Sequence, residues 1–175
     1  MSLILSIGIS LGLILLLILL GTVFDRFGDW SFPILHYDLD RVISTGNEEH
    51  HYHFITLGSY IVKTSLLFLA VSVFLIILSL FVSLFLNQMI SSFGISTMIV
   101  LGGYFLSTSS IVGNYSHLSP FTYLNIGKIT NGEIAYLVSN ARVEVWTGIS
   151  VLLSTSIVLL VAGVIIVRIV GLKRG

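Results

Sequence analysis

The fold of this chain is decided by residues 65–112, which read SLLFLAVSVFLIILSLFVSLFLNQMISSFGISTMIVLGGYFLSTSSIV. No side chain in this stretch carries a charge, and its main polar break falls at residues 87–92. An α-helix rises 1.5 Å per residue, so about 20 residues cross the roughly 30 Å hydrocarbon core of a bilayer. The stretch therefore predicts two membrane spans joined by a tight turn.

The composition of the whole chain agrees with this interpretation. Its 175 residues are 55% hydrophobic and 9% charged, with a mean hydropathy of +1.06. Soluble domains carry about 25% charged residues, so we predict an integral membrane protein in contact with membrane lipid. The formal net charge of zero gives no reason to expect nucleic-acid binding. The absence of cysteine excludes disulfides and cysteine-based metal or nucleophile chemistry.

Two further uncharged runs bring the number of predicted spans to four. The spans are expected at about residues 3–24, 64–86, 89–112 and 145–167. The first run is too long for the apolar region of a signal peptide, and no basic residue precedes it, so we expect it to be retained. The predicted fold is therefore all-α and polytopic, with one transmembrane domain over residues 1–175.

Small residues mark possible packing faces in two of these spans. Gly8 and Gly12 form a GxxxG pattern, which either lets a neighbouring helix approach closely or is a coincidence in a span rich in glycine and leucine. Serines spaced by sevens and a four share one face of the second span, and we expect that face to pack against another helix. These serines are Ser65, Ser72, Ser79 and Ser83.

Two polar segments, at about residues 25–63 and 113–144, form the loops between spans. The chain ends with Arg168, Lys173 and Arg174 and no acidic residue, which predicts a cytoplasmic C-terminus by the positive-inside rule. With four spans, the N-terminus is then cytoplasmic as well, and both polar segments lie outside the cell. Apolar residues at helical spacing within residues 133–145 predict a short amphipathic or re-entrant helix before the last span.

The first polar segment holds the candidate metal ligands. The sequence EEHHYH at residues 48–53 contains His50, His51 and His53, and imidazoles with carboxylates suit zinc or copper. The spacing matches no HExxH pattern, so we predict a solvated outer loop and keep the metal site as the alternative.

A second polar cluster precedes it. His36, Asp38 and Asp40 alternate, so in an extended strand they share one face. They are interpreted as a polar rim at the membrane surface, with a carboxylate–histidine site as the alternative.

No charged residue lies deep in a predicted span, and Lys63 stands at the edge of one. Intramembrane ionisable residues usually mark proton relays and ion pathways, so this pattern argues against an ion pump or an intramembrane protease. No glycine-rich phosphate loop with Lys-Ser or Lys-Thr is present, so we do not expect the chain to hydrolyse ATP or to be an enzyme.

Three short stretches carry a resemblance to one family. They are FGDWSFPIL (27–35) after the first span, LFLNQ (84–88) after the second, and SPFTYLNIGKITNGE (119–133) before the last. Their order resembles the C-terminal two-thirds of type-2 ABC exporter permeases, the small bacterial kind associated with bacitracin, lantibiotic and other peptide export or self-immunity. The most specific residues are in the outer motif Pro120, Phe121, Thr122 and Tyr123. Trp30 and Pro33 mark the earlier outer-loop motif.

The resemblance implies a function without chemical catalysis in this chain. The protein is expected to be a permease subunit in the bacterial plasma membrane that exports an amphipathic peptide or antibiotic-like substrate. An ABC ATPase dimer would bind the ATP, and a second permease subunit or a homodimer would complete the pathway. The motif at residues 120–123 would belong to an outer re-entrant segment between the last two spans.

Two other readings remain open. Family members usually carry six spans, so two spans and the coupling helix that docks the ATPase would precede Leu3, supplied by another subunit or a longer chain. Without direct ATPase coupling, the protein is instead a non-transporting membrane scaffold or assembly subunit. The third reading is a membrane metalloenzyme that uses His50, His51 and His53.

Overall fold

A computed structural model describes residues 29–38, 52–86, 88–107 and 113–172, together with Gly8 and Gly12. Two strands come first, β1 (Pro33–Tyr37) and β2 (Tyr52–Thr56). Five α-helices follow: α1 (Leu57–Ser83), α2 (Met89–Ser107), α3 (Ile126–Thr130), α4 (Glu133–Leu137) and α5 (Val145–Leu172). Two 3-10 turns, Gly113–Leu118 and Pro120–Leu124, stand between α2 and α3.

Three of these helices, α1, α2 and α5, are long and apolar enough to cross a membrane. The prediction of a helical membrane protein is therefore confirmed, and three of the four predicted spans correspond to a described helix. The first predicted span lies outside the described residues except for Gly8 and Gly12. Both of these glycines are helical and exposed, with open space where a Cβ would stand.

The boundaries of the spanning helices differ from those predicted. Helix α1 begins at Leu57 and not near residue 64, because Thr56 caps it by accepting a hydrogen bond from Ser59 N at 3.3 Å. Helix α2 is described as far as Ser107, and α5 continues to Leu172, five residues beyond the predicted end. At 27 residues, α1 is about 40 Å long and therefore extends beyond a hydrocarbon core of roughly 30 Å.

The prediction of an all-α fold is wrong in the first polar segment, where β1 and β2 form an antiparallel two-stranded sheet. Their register runs from the pair Pro33↔Thr56 to the pair Tyr37↔Tyr52. Both strand sequences, PILHY and YHFIT, are rich in the β-branched and aromatic residues that favour extended backbone. Proline stands at the first strand position, where a two-stranded sheet tolerates its missing N–H.

The core lies along α1, which packs against α5 and more lightly against α2. The buried face of α1 is apolar, with Leu67 and Phe74 almost completely buried. The serine stripe expected to pack is not this face, since Ser79 and Ser83 are exposed. Ser83 instead donates a hydrogen bond to Leu80 O in its own helix. The other two serines of the stripe, Ser65 and Ser72, are partly buried, so the stripe as a whole is not the most buried face of α1.

The second polar segment, residues 113–144, folds into a compact unit that we name the wedge. It comprises both 3-10 turns, α3 and α4, and it contacts α1, α2 and α5. The amphipathic helix predicted over residues 133–145 is shorter and ends at Leu137. It ends there because Ser139 adopts a left-handed φ of 50° and Asn140 N donates to Ala135 O, which closes the helix and reverses the chain.

Candidate functional site

The outer motif predicted from the sequence is the part of the wedge that enters the helix bundle. The Phe121 ring lies over Gly103 of α2, where a Cβ would come within 2.5 Å of the ring. On its other side the ring meets Phe74 of α1 edge-on, with centroids 5.8 Å apart. Glycine at position 103 therefore forms a socket that admits an aromatic ring between two spanning helices.

Tyr123 occupies a second socket on a different helix. Its ring is completely buried and lies so close to Gly148 of α5 that no Cβ fits there. The phenol donates a hydrogen bond to His117 O at 2.9 Å, which satisfies its polar end. Burial raises the pKa of Tyr123 far above its ordinary value, so the phenol remains a neutral donor.

The polar groups of the wedge are satisfied internally. Thr122 Oγ1 donates to Ser116 O at 2.7 Å, and both residues are fully buried. Thr64 of α1 donates to Thr130 Oγ1 at 3.3 Å, and Thr130 Oγ1 itself donates to Ile126 O at 2.9 Å. These bonds leave the hydroxyls of Thr122 and Thr130 paired inside the protein, as buried polar groups require.

A cavity of about 320 Å³ lies above the wedge, between the sheet, the wedge and the first turns of α1 and α5. We use the term floor for its apolar lining residues Ile129, Ala135 and Val143. Ionisable and aromatic side chains surround the floor: His36, Asp38, His53, Lys63, Glu144 and Trp146. An apolar floor with a few convergent polar groups is the usual form of a ligand site, so this cavity is the candidate binding site.

Two histidines face each other across the sheet at this cavity. His36 and His53 are directly paired in the β1–β2 register, and their ring centroids are 4.7 Å apart. His53 Nδ1 lies 3.3 Å from Asp38 Oδ2. Both Nδ1 atoms are buried, and neither makes a well-aligned hydrogen bond within the described part of the chain.

The electrostatic surroundings keep one of these histidines neutral. Burial, the neighbouring His53 and the positive charge of Lys63 together lower the pKa of His36. Lys63 is partly buried, and within the described ranges it has no ion-pair or hydrogen-bond partner. The cavity therefore offers a cation, carboxylates and the neutral imidazole of His36 beside an apolar floor. This combination suits a ligand that has both charged and apolar parts.

The structure brings together residues that the sequence analysis had assigned to separate candidates. His53 came from the metal candidate, and His36 and Asp38 came from the alternating cluster. Their partners His50, His51 and Asp40 lie outside the described residues. Among residues 29–38, 52–86, 88–107 and 113–172, no group of three or more His, Asp or Glu side chains is placed to hold a metal ion.

The earlier outer-loop motif positions the sheet. The Trp30 ring lies 3.3 Å from the position that a Cβ on Gly58 would occupy. Pro33 is the first residue of β1. Sequence reasoning missed the glycines opposite the aromatic motif, namely Gly103 and Gly148. Both are glycines in spanning helices on either side of an aromatic segment, and this pattern is visible in the sequence. Which ring packs against which glycine depends on tertiary packing, which the sequence pattern does not give.

No protein-family model, curated protein or solved structure matches this chain. The class to which the protein belongs is therefore defined by its own architecture. It is a helical membrane protein in which the wedge follows α2 in sequence, precedes α5 and contacts both, with a cavity at one end of the bundle.

Proposed function

We propose that the protein is the membrane-spanning permease subunit of an ABC-type exporter that moves an amphipathic peptide or antibiotic-like substrate. A separate ATPase dimer supplies the energy, and a second permease subunit or a second copy of this chain completes the pathway. The protein acts in the bacterial plasma membrane, with both termini in the cytoplasm and with the sheet and the wedge outside.

The observation that carries the proposal is the seating of the wedge. It stands between the last two spanning helices in sequence and contacts both through the Pro120–Leu124 turn. Phe121 meets α1 at Phe74, which is eleven residues beyond Lys63 and therefore about 16 Å further along the helix. A re-entrant segment at this place in the chain is what the resemblance to type-2 exporter permeases implies.

The exposure of the spanning helices supports a role as one part of a larger assembly. Only 17% of the most apolar stretch of α2 and of α5 is buried within the described chain, against 39% for α1. The remaining surface is apolar and suits contact with lipid or with further helices. Transport would then arise from rearrangement of two such halves around a central path, with no covalent step in this chain.

The proposal is tested by purifying the chain in mild detergent with the ATPase that accompanies it and measuring ATP hydrolysis in lipid vesicles. We expect an amphipathic peptide substrate to stimulate hydrolysis, and we expect deletion of the protein to increase the sensitivity of cells to that peptide. A variant that fills a socket, Gly148→Leu, is expected to lose the stimulation, whereas Gly102→Ala on an open helix face is expected to retain it.

An assembly that co-purifies with no peptide-stimulated hydrolysis, from cells whose peptide sensitivity does not depend on the protein, would contradict the transport role. That outcome would favour the non-transporting scaffold subunit.

A further inference from the structure

The β1–β2 sheet turns its histidine-bearing face toward the protein and leaves its more apolar face exposed, which is the reverse of the usual arrangement. Because the side chains of a strand alternate, the face turned toward the cavity carries Ile34, His36, His53 and Ile55. Within the described chain, the opposite face contacts the wedge only at its end, where the Tyr37 ring lies 6.2 Å from the Tyr136 ring, and its residues Pro33, Leu35, Tyr52, Phe54 and Thr56 are exposed. Its strand residues are Pro33, Leu35, Tyr37, Tyr52, Phe54 and Thr56.

This outward face is apolar, aromatic and exposed. Phe54 is 62% exposed, Tyr52 53%, and Phe32 just before β1 is 60% exposed. No side chain on this face of the two strands carries a charge. A sheet with one face in water normally places its polar residues on that face, so the arrangement points to an apolar environment outside the sheet.

The sheet is held at the level where α1 leaves the membrane. Leu57 N donates to Phe32 O at 2.9 Å, and Gly58 N donates to Trp30 O at 3.1 Å. These residues precede Lys63, the first charged position on α1, by five or six residues, which is about 9 Å of helix. The headgroup region on each side of a bilayer is about 5–8 Å thick, so a Lys63 at the edge of the hydrocarbon core places the base of the sheet at the outer limit of this region.

An apolar surface continues from the sheet onto the spanning helix. The Trp30 ring covers Gly58, and Val62 and Leu66 follow at intervals of four residues on the same face of α1. Val62 is 57% exposed and Leu66 is 41% exposed. Because the lower part of this stripe belongs to a helix that crosses the membrane, the lipid that covers it also reaches the sheet.

We propose that the outward face of the sheet is a membrane-docking surface, which lies against the lipid headgroup region through Leu35, Tyr52 and Phe54. Aromatic side chains are favoured at this depth because an apolar ring meets an interface that still contains water. The docked sheet holds the outer wall of the cavity at a fixed height above the bilayer. This role is independent of what the protein transports.

The absence of cysteine from the chain allows a direct test by single-cysteine spin labelling. Phe54→Cys and Tyr52→Cys place a nitroxide on the outward face. Ile55→Cys is the matched control, since it is adjacent in sequence but lies on the inward face. Arg142→Cys, on an exposed position of the wedge, serves as the water reference. Each variant is reconstituted in phosphatidylcholine/phosphatidylglycerol vesicles, and its collisions with oxygen and with a water-soluble nickel chelate are measured.

Oxygen concentrates in lipid and the nickel chelate stays in water. We expect a ratio of oxygen to nickel collisions that is several-fold higher at positions 52 and 54 than at position 142, and few collisions of either kind at position 55. A ratio at position 54 equal to that at position 142 would show a face in water and overturn the proposal. Few collisions of either kind at positions 52 and 54 would also overturn it, because a protein partner would then cover the face.

Discussion

Single glycines decide where the aromatic residues of the wedge fit. Gly102 and Gly103 are neighbours in α2, yet a Cβ at position 102 meets open space while one at position 103 overlaps the Phe121 ring. Residues this close in a helix differ by about 100° around its axis, so only one of them faces the wedge. Alanine substitutions at these two positions therefore separate the destabilisation caused by steric overlap from the change in helix propensity.

Gly103→Ala is expected to destabilise the protein by about 1–3 kcal/mol, because Phe121 is held between α1 and α2 and has little room to withdraw. Gly102→Ala is expected to leave stability unchanged or raise it by up to about 1 kcal/mol, since alanine favours a helix over glycine. The measurement is the unfolding free energy in mixed detergent micelles. Equal unfolding free energies for the two variants would show that Phe121 does not pack tightly against Gly103.

The lowered pKa of His36 makes the stability of the protein depend on pH. The lowered pKa of His36 means that the unfolded chain binds a proton more readily than the folded one. The contribution of neutral His36 is therefore fully present above about pH 6.5 and is lost as the pH falls from there through the lowered folded pKa. His53, Asp38 and Lys63 are the ionisable groups that face it.

We expect the thermal stability of the wild type to fall more steeply than that of His36→Asn between about pH 7 and about pH 5. Both proteins retain the other titrating groups, so the difference between the two slopes isolates position 36. Parallel slopes would show that His36 carries no proton-linked stability.

At the scale of elements, the joint between the sheet and the wedge depends on one left-handed residue. Gly132 has a φ of 79°, and a Cβ there would overlap the carbonyl oxygen of Tyr37. Beside it, Tyr37 N donates to Asn131 O at 2.8 Å and links β1 to the turn between α3 and α4. Glycine is needed at this position both for its backbone conformation and for the close approach of the strand.

Gly132→Ala is therefore expected to release the sheet from the wedge and to speed amide hydrogen exchange at Tyr37 by roughly tenfold or more, since strain and overlap together cost more than about 1.4 kcal/mol. Gly127→Ala is the control in the neighbouring helix α3, where the nearest atom is 3.4 Å from the added Cβ. Unchanged exchange at Tyr37 in Gly132→Ala would show that the joint does not hold the sheet.

The spanning helices could be predicted from the sequence, whereas the sheet could not. Uncharged runs identified α1, α2 and α5 as membrane spans because burial in lipid requires apolar side chains regardless of tertiary packing. The sheet was missed because its two strands are five residues each and far apart in sequence, and their signal is no stronger than that of a loop with aromatics. The alternation of His36 and Asp38 was noticed, but only the register places His53 opposite His36.

The sequence singles out the motif at residues 120–123, but it does not identify the helix residues against which the motif packs. Which glycine receives which ring depends on the rotation of each helix about its axis, and a uniformly apolar helix gives little periodic signal for that rotation. The weak periodic signal also explains why the sequence predicts packing of the serine face of α1, whereas the most buried face is the apolar one.

At the scale of the whole molecule, the sheet, the wedge and the cavity lie at one end of the spanning helices and the α1–α2 turn lies at the other. The proposed topology places the first end outside the cell. Leu137→Cys in the wedge and Phe85→Cys in the turn are both at exposed positions.

In intact cells, a membrane-impermeant maleimide is expected to label Leu137→Cys and to label Phe85→Cys only after the cells are permeabilised. A reporter fused after Gly175 is expected to be active in the cytoplasm. The opposite labelling pattern would invert the topology and remove the basis for an export role.

The two sockets constrain how the bundle can change shape. Phe121 and Tyr123 are two residues apart in one short turn, and they fill recesses in α2 and α5, respectively. These helices therefore cannot separate at that level without extracting a ring, although they are free to diverge toward the opposite end. The turn is thus a fixed point for any tilting of α2 relative to α5. If the protein has the proposed transport role, its passage opens beside α1, α2 and α5 and not between them.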